Sequence, residues 1–338
     1  MKMRDLVKRL AIMGALGTTT ISLGHAQTPE WDRVVAAAKK EGTVVLYSGV
    51  TILPDNLLAH FTAKYGIPVE LLQARSTEIR ERIRSEVAAG KVLGDMTLNS
   101  ASTEELQLRA GHLQPHGALP NAARLPAQFA SDGTRLIAML GRWGMLVNTN
   151  LVKPEEVPAT WTDVLDPKWQ GKILIDDPRI NGGGHIFFTA AYDKFGRGFH
   201  EKLAAQKPTI SNNAVLGNRR LAQGEYAILI PFTLQSAVDL RGLPVKVVVP
   251  KEGAAFLGFS AALLKDAPHP NAARLFLNYL LEDEAQQMVV QKGYSSPLGG
   301  FAESAPPELK PFDGVALLGT GTADQQEPMM KLAQELYK

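Results

Sequence analysis

Apolar residues recur every three or four positions in some segments and run together in others, and the two rhythms take turns along the chain. Trp31, Val34, Val35 and Ala38 share one helical face, with Gly42 as a stop. Thr43–Tyr47 then reads as a short strand ending at Ser48-Gly49. Leu57, Leu58, Phe61 and Tyr65 mark a second helix closed by Gly66, and Ile67–Leu72 a second strand whose Pro68 places its start near an edge. Ile79, Ile83 and Val87 face one way along a third helix, and Asp95–Asn99 is a third strand. Ser102, followed by Glu105 at capping-box spacing, opens a fourth helix that ends at Gly111. Such a succession of strand–helix units predicts a parallel sheet covered by helices.

Two strands follow, Leu136–Leu140 and Trp143–Asn148, and then prolines punctuate the chain at 154, 158, 167 and 178. A second α/β unit is read over about 148–249. It has a capped short helix at Thr160–Asp163, strands at Lys172–Ile175, Ala227–Ile230 and Val245–Val249, and helices near 185–195, 198–206 and 214–222. Phe256–Leu264 is a further strand, with helices at Pro270–Leu281, Glu282–Gln291 and Asp324–Tyr337. This strand–helix return brings the chain back to its first unit. The expected organisation is therefore two lobes, 27–140 with 250–305 and 141–249, with 306–338 packing on the second. They are joined by extended crossings near 138–146 and 249–256, a hinge about which a cleft can open and close.

Composition adds an address. Met1–Arg9 is basic, Leu10–Leu23 is largely apolar, and Gly24 and Ala26 are small residues at the −3 and −1 positions of a cleavage after Ala26. That layout is a secretory signal peptide over 1–26. Without it the chain keeps 32 basic and 33 acidic residues, a net charge of −1, so composition offers no reason to expect nucleic acid. There is no cysteine, which excludes disulfides, thiolate metal sites and a lipid anchor on cysteine.

The chemistry is read as binding. No dinucleotide or phosphate-loop fingerprint, zinc-protease motif or esterase elbow is present, so neither enzyme activity nor a cofactor or resident metal is expected. Strands do end in small polar residues just before helices: Ser48 and Gly49, then Arg75, Ser76 and Thr77, then Asn99, Ser100 and Ser102. In an open α/β sheet such ends converge on the ligand edge, where helix N-termini favour an anion. The same residues also serve as ordinary helix caps. Arg75 would double the attraction for a carboxylate or phosphate. Arg142, at a crossing, either reaches the cleft or forms a buried hinge contact. From the second lobe Gly184, His185 and Asn213 offer donors at helix starts, and Phe232 and Thr233 follow a strand directly.

Several segments together carry a family likeness: Gly42–Gly49, Phe61–Leu72, Thr160-Trp161 through Gly171, Gly224–Ile230, His269–Gln286 and Gly293–Pro297. In order and spacing they resemble the extracellular solute-binding proteins of ATP-driven importers, in the ferric-ion-binding branch of the type II periplasmic binding fold. The resemblance implies two lobes, each a mixed sheet flanked by helices, a periplasmic location, and an inner-membrane ABC permease as partner. The branch's adjacent tyrosines fall where this chain has Pro231-Phe232-Thr233-Leu234, which offers no phenolate to a ferric ion. A small anionic organic solute is therefore expected: a carboxylate, phosphonate or phosphate ester. The alternatives are a metal carrier using carboxylates such as Glu78 or Asp177, a periplasmic hydrolase, and a ligand-sensing partner of a membrane receptor.

Overall fold

The computed structural model describes residues 29–50 and 52–338, so the expected leader lies outside the described residues. Helix α1 (Pro29–Glu41) leads into β1 (Val44–Ser48), α2 (Leu57–Tyr65), β2 (Val69–Gln73), α3 (Ser76–Ala88), β3 (Met96–Ser100) and α4 (Ala101–Arg109). A short β4 (Leu113–Gln114) precedes the long β5 (Arg135–Asn148). The second unit holds β6 (Ile173–Asp176), α5 (Gly183–Phe195), α6 (Arg197–Ala205), β7 (Thr209–Ser211), α7 (Ala214–Ala222), β8 (Ile228–Thr233) and β9 (Val245–Val248). The chain closes with β10 (Ala254–Leu264), α8 (Pro270–Tyr279), α9 (Asp283–Gln291), β11 (Leu317–Gly319) and α10 (Gln326–Leu336).

The architecture is α/β and two-lobed. Strands follow the order β2-β1-β3-β10-β5-β8-β6-β7, with β4 and β11 added to β10 and β9 to β5. Parallel triplets stand at the two ends: β1 between β2 and β3, and β6 between β7 and β8. Between them β5 and β10 run antiparallel to each other from Arg135–Ala262 to Trp143–Ala255. Two hydrophobic cores flank this ribbon. One gathers Trp31, Leu46, Phe61, Met96, Phe276 and Tyr279; the other gathers Trp161, Ile173, Phe187, Phe188, Ala333 and Tyr337. The C-terminal helix thus packs with α5 and α6.

Three local readings are corrected. The strands expected at 136–140 and 143–148 are one strand, because β10 pairs with Gly141 and Arg142 as it does with their neighbours. A glycine breaks an apolar pattern without breaking a backbone ladder. Helix α4 begins one residue before Ser102, and its cap is Ser100, whose Oγ accepts from the Thr103 amide at 3.3 Å. Helix α5, expected from about 185, begins at Gly183, so Gly183 and Gly184 lie in its first turn. A Cβ on Gly183 would meet the Trp143 indole, and one on Gly184 the Asp176 backbone, so glycine lets α5 start against the end of β6. Among the described residues no helix is long and apolar enough to cross a membrane.

The rings of Phe61, Phe276 and Tyr279 pin α2 to α8, with centroids 4.8 and 5.2 Å from Phe61. Phe61 is fully buried, so Phe61→Ala should cost roughly 3–5 kcal/mol. Urea denaturation would show this as a lower midpoint; a wild-type midpoint would mean the ring cluster does not hold these helices.

Candidate functional site

Both parallel triplets end on the same opening. A cavity of about 800 Å³ lies there, within the size range of small-molecule sites. Gly49, Ser76, Ser100, Ser102 and Thr103 line it from the first lobe, and Gly182, Gly183, His185 and Thr189 from the second. Trp143 of β5, Leu257 and Phe259 of β10 and the segment Thr320–Asp324 complete the wall.

The floor is built by close approach. Gly49 follows β1, and a Cβ on it would overlap the Asn99 amide and the Ser76 hydroxyl. Its φ is not the reason for glycine here; space is. Asn99 is fully buried beneath this spot, its Nδ2 donating to Glu104 Oε1 at 2.9 Å while its Oδ1 has no partner. Burial pushes the Glu104 carboxyl up to about 7, against the opposing pull of the Asn99 hydrogen bond. Above this, Ser100 Oγ lies 3.2 Å from Ser102 Oγ and 2.9 Å from Thr103 Oγ1. The first residues of α3 and α4 both line the cavity here. Across the opening, the N-terminus of α5 is already occupied, since the Gly184 amide donates to Asp176 Oδ2 at 2.8 Å.

One wall carries alternating charges. Asp132 accepts from Arg135 at 2.8 Å; Arg135 also pairs with Glu105, which accepts from Arg109 Nε at 2.8 Å. Arg109 then forks onto Asp324, Nη1 to Oδ1 at 2.5 Å and Nη2 to Oδ2 at 3.1 Å. Arg109, helped by Arg135, holds Glu105 below the usual carboxylate range, and Arg109 does the same to Asp324. Arg109 belongs to α4 of the first lobe. Asp324 is carried by the C-terminal segment, anchored on α5 where Gln325 Nε2 donates to Asp193 at 2.7 Å. This ion pair therefore spans the cleft.

The structure brings together Gly49, Ser76, Ser100, Ser102 and His185 of the residues expected from sequence, and places the others elsewhere. Ser48 is buried and braces the turn, accepting from the Val50 amide at 3.1 Å. Arg75 and Thr77 are exposed outside the lining, and the Arg75 amide reaches Glu78 at 3.4 Å. Asn99 supports the floor from below. Arg142 bonds the Phe312 carbonyl, while its neighbour Trp143 takes the cleft side of the strand. Burial lowers the Arg142 pKa, with Asp313 opposing. Gly184 is buried against Asp176. Exposed Asn213 caps α7, accepting from the Leu216 amide at 3.0 Å. Phe232 fills a small core with Leu146 and Leu229, and Thr233 pairs with Trp143 within the sheet.

Sequence reading missed Thr103, the Asp132–Arg135–Glu105–Arg109–Asp324 series, Trp143, Phe259 and Thr320–Thr322. One of these had a local sign: Thr322 and Gln325 have capping-box spacing, and the Thr322 amide donates to Gln325 Oε1 at 2.8 Å. Among the described residues no group of three or more His, Cys, Asp or Glu side chains is placed to hold a metal ion.

Residues 98–314 match the family described as bacterial extracellular solute-binding proteins. The chain is 24% identical over 323 residues to the spermidine/putrescine-binding periplasmic protein 1 of Haemophilus influenzae, covering 88% of this chain and 87% of that one. It is 23% identical over 289 residues to a putative 2-aminoethylphosphonate-binding periplasmic protein of Salmonella typhimurium, covering 81% of each. A Trichodesmium protein solved with iron and citrate shares the fold, with a TM-score of 0.73, 22% identity, and coverage of 88% of this chain and 100% of that one.

Two outcomes test this geometry. Between about pH 4.5 and 7 the folded protein keeps a Glu104 proton that the unfolded chain has released, so this group lowers stability as pH rises through that window. Glu104→Gln should abolish that slope and gain about 2–3 kcal/mol over wild type at pH 8 relative to pH 4, read by denaturant titration. An unaltered pH profile would show that the carboxyl ionises normally. Asp324→Asn should enlarge the radius of gyration measured by small-angle X-ray scattering at low salt. The difference should vanish at about 1 M salt, where the screening length is about 3 Å. Identical scattering at low salt would mean the ion pair does not hold the lobes.

Proposed function

We infer that this chain, which belongs to the family of bacterial extracellular solute-binding proteins, captures a small anionic organic solute in its cleft and presents it to the permease of an inner-membrane ABC importer. Members of the family are binding proteins rather than enzymes, and capture here requires no bond to be made or broken. The proposed cycle begins with the solute meeting the first lobe. The lobes then close about the β5–β10 ribbon, and contacts to both lobes favour the closed state.

The observation that carries the anionic reading is the floor of the cleft. Two helices of 13 and 9 residues start there, their first turns lined by Ser76, Ser102 and Thr103 with Ser100 as cap. The helix fields and orientable hydroxyls together suit a carboxylate, phosphonate or phosphate ester. The charged wall argues against a polyamine, because Glu105, Asp132 and Asp324 are each engaged by an arginine. Among the described residues the cleft lining contains no tyrosine and a single histidine, a poor set for a ferric ion.

Gentle purification followed by mass spectrometry of the retained small molecule should release an organic anion, with iron absent on elemental analysis. Ser102→Ala leaves the Ser100 cap in place and should weaken solute binding by about 0.5–1.5 kcal/mol in calorimetry. Stoichiometric iron, or unchanged affinity in both Ser76→Ala and Ser102→Ala, would sink the anionic assignment.

A further inference from the structure

We infer that the Trp143 indole N–H donates to an uncharged oxygen of the solute, so that the cargo carries a carbonyl, hydroxyl or ether oxygen in addition to its anionic group. This rests on the anionic reading above and adds to it a recognition element on the ribbon between the lobes.

Trp143 stands in β5 where the strand pairs with Ala255 of β10 on one side and Thr233 of β8 on the other. It lines the cavity while only 8% exposed. Its Nε1 donates to no group among the described residues, yet that atom is not fully enclosed. Trp161 and Trp169 show the ordinary outcome for a buried indole: their Nε1 atoms donate to the carbonyls of Gly253 at 2.9 Å and Asp163 at 3.1 Å. Two glycines locate the Trp143 ring. A Cβ on Gly141 would lie 3.4 Å from Cη2 of the indole and 3.3 Å from the Phe259 ring, and one on Gly183 would lie 2.4 Å from Nε1. Gly183 and Phe259 line the same cavity. The benzene end of the indole thus rests over Gly141 beside Phe259, and its N–H edge meets Gly183, which has no side chain to cover it.

A nearly buried donor without a partner is costly, and the cavity is the side from which a partner can arrive. An indole N–H donates only, so it selects an acceptor. Asp176 decides the charge of that acceptor. Its Oδ2 would lie 3.1 Å from the same Cβ on Gly183, and it accepts from the Gly184 amide rather than from the indole. A second negative charge beside it is disfavoured, whereas an uncharged oxygen is not. The charged end of the solute therefore stays with the hydroxyls where α3 and α4 begin, and its uncharged oxygen meets Trp143. Packing already holds the ring, so little order is lost when the bond forms.

Calorimetry on the purified protein with two matched series tests this. One is propylphosphonate against 2-oxopropylphosphonate. The other is pentanoate and hexanoate against 4-oxopentanoate and 5-oxohexanoate, which place the ketone at two distances from the charge. In whichever series binds, a ketone-bearing member should bind about fivefold or more tighter than its plain partner. Trp143→Phe keeps a ring but loses the N–H, and should erase that ratio. Should it fail to fold, Gly183→Ala, which sets a methyl against Nε1, should shrink the ratio instead. Equal affinity within every pair, or a ratio fully kept in a folded variant, overturns the role of Trp143 and leaves the anionic reading standing. Binding of no member in either series overturns the anionic reading, and this inference with it.

Discussion

The backbone ladder between β5 and β10 is the constraint on which the rest of the molecule depends. Each strand runs through both lobes, so the same hydrogen-bonded pair joins the two ends of one continuous sheet and is the seam between two cores. A ribbon of two strands bends more readily than either packed lobe. The lobes can therefore change their relation without disturbing the parallel triplets that present the site. Just beyond this ladder β9 lies close on β5: a Cβ on Gly144 would be 2.5 Å from the Val248 carbonyl. A register shift lies beside it, between Gly144 and Leu146, where β5 pairs with β8.

The cleft follows from this arrangement. Parallel strands deliver their C-terminal ends, and the helices after them their N-termini, to one edge of each lobe. On the first lobe that edge is lined by hydroxyl residues where α3 and α4 begin. On the second lobe Asp176 occupies the start of α5, and Trp143, His185 and Thr189 line the cavity. The two walls are chemically unequal, one lined by hydroxyls at two helix starts and the other by Trp143, His185 and Thr189. The arginine–carboxylate series between them neutralises charge internally. It also joins α4 to the C-terminal segment, pairing Arg109 with Asp324 across the opening.

Much of the fold was legible because it is periodic. The 3.6-residue and apolar-run rhythms located nearly every helix and strand, and the return of a strand–helix unit after residue 249 implied two lobes before any contact was known. Errors fell where one residue stood for two physical situations. Gly141 reads as a break, yet extended backbone accepts glycine. Ser100 and Ser102 are equally good caps on paper, and only the path of β3 selects the first. At the site, serines and glycines at strand ends were legible because topology sends all such ends to one edge. The arginines were not. Arg75 follows a strand end but lies exposed beyond the lining, and Arg142 falls on the far face of its strand, because adjacent residues on a strand point opposite ways.

The amino-acid sequence alone determined the α/β class, the two-lobed division and the set of strand ends from which a binding edge could be made, since these depend on local periodicity and chain order. Tertiary structure decided which side chains face the opening, that Arg109 meets Asp324 across 215 positions of chain, and that the His185 nitrogen is left unpaired within a packed wall. Those outcomes depend on the rotation of each element about its own axis and on which distant segment covers it, and no local pattern encodes either.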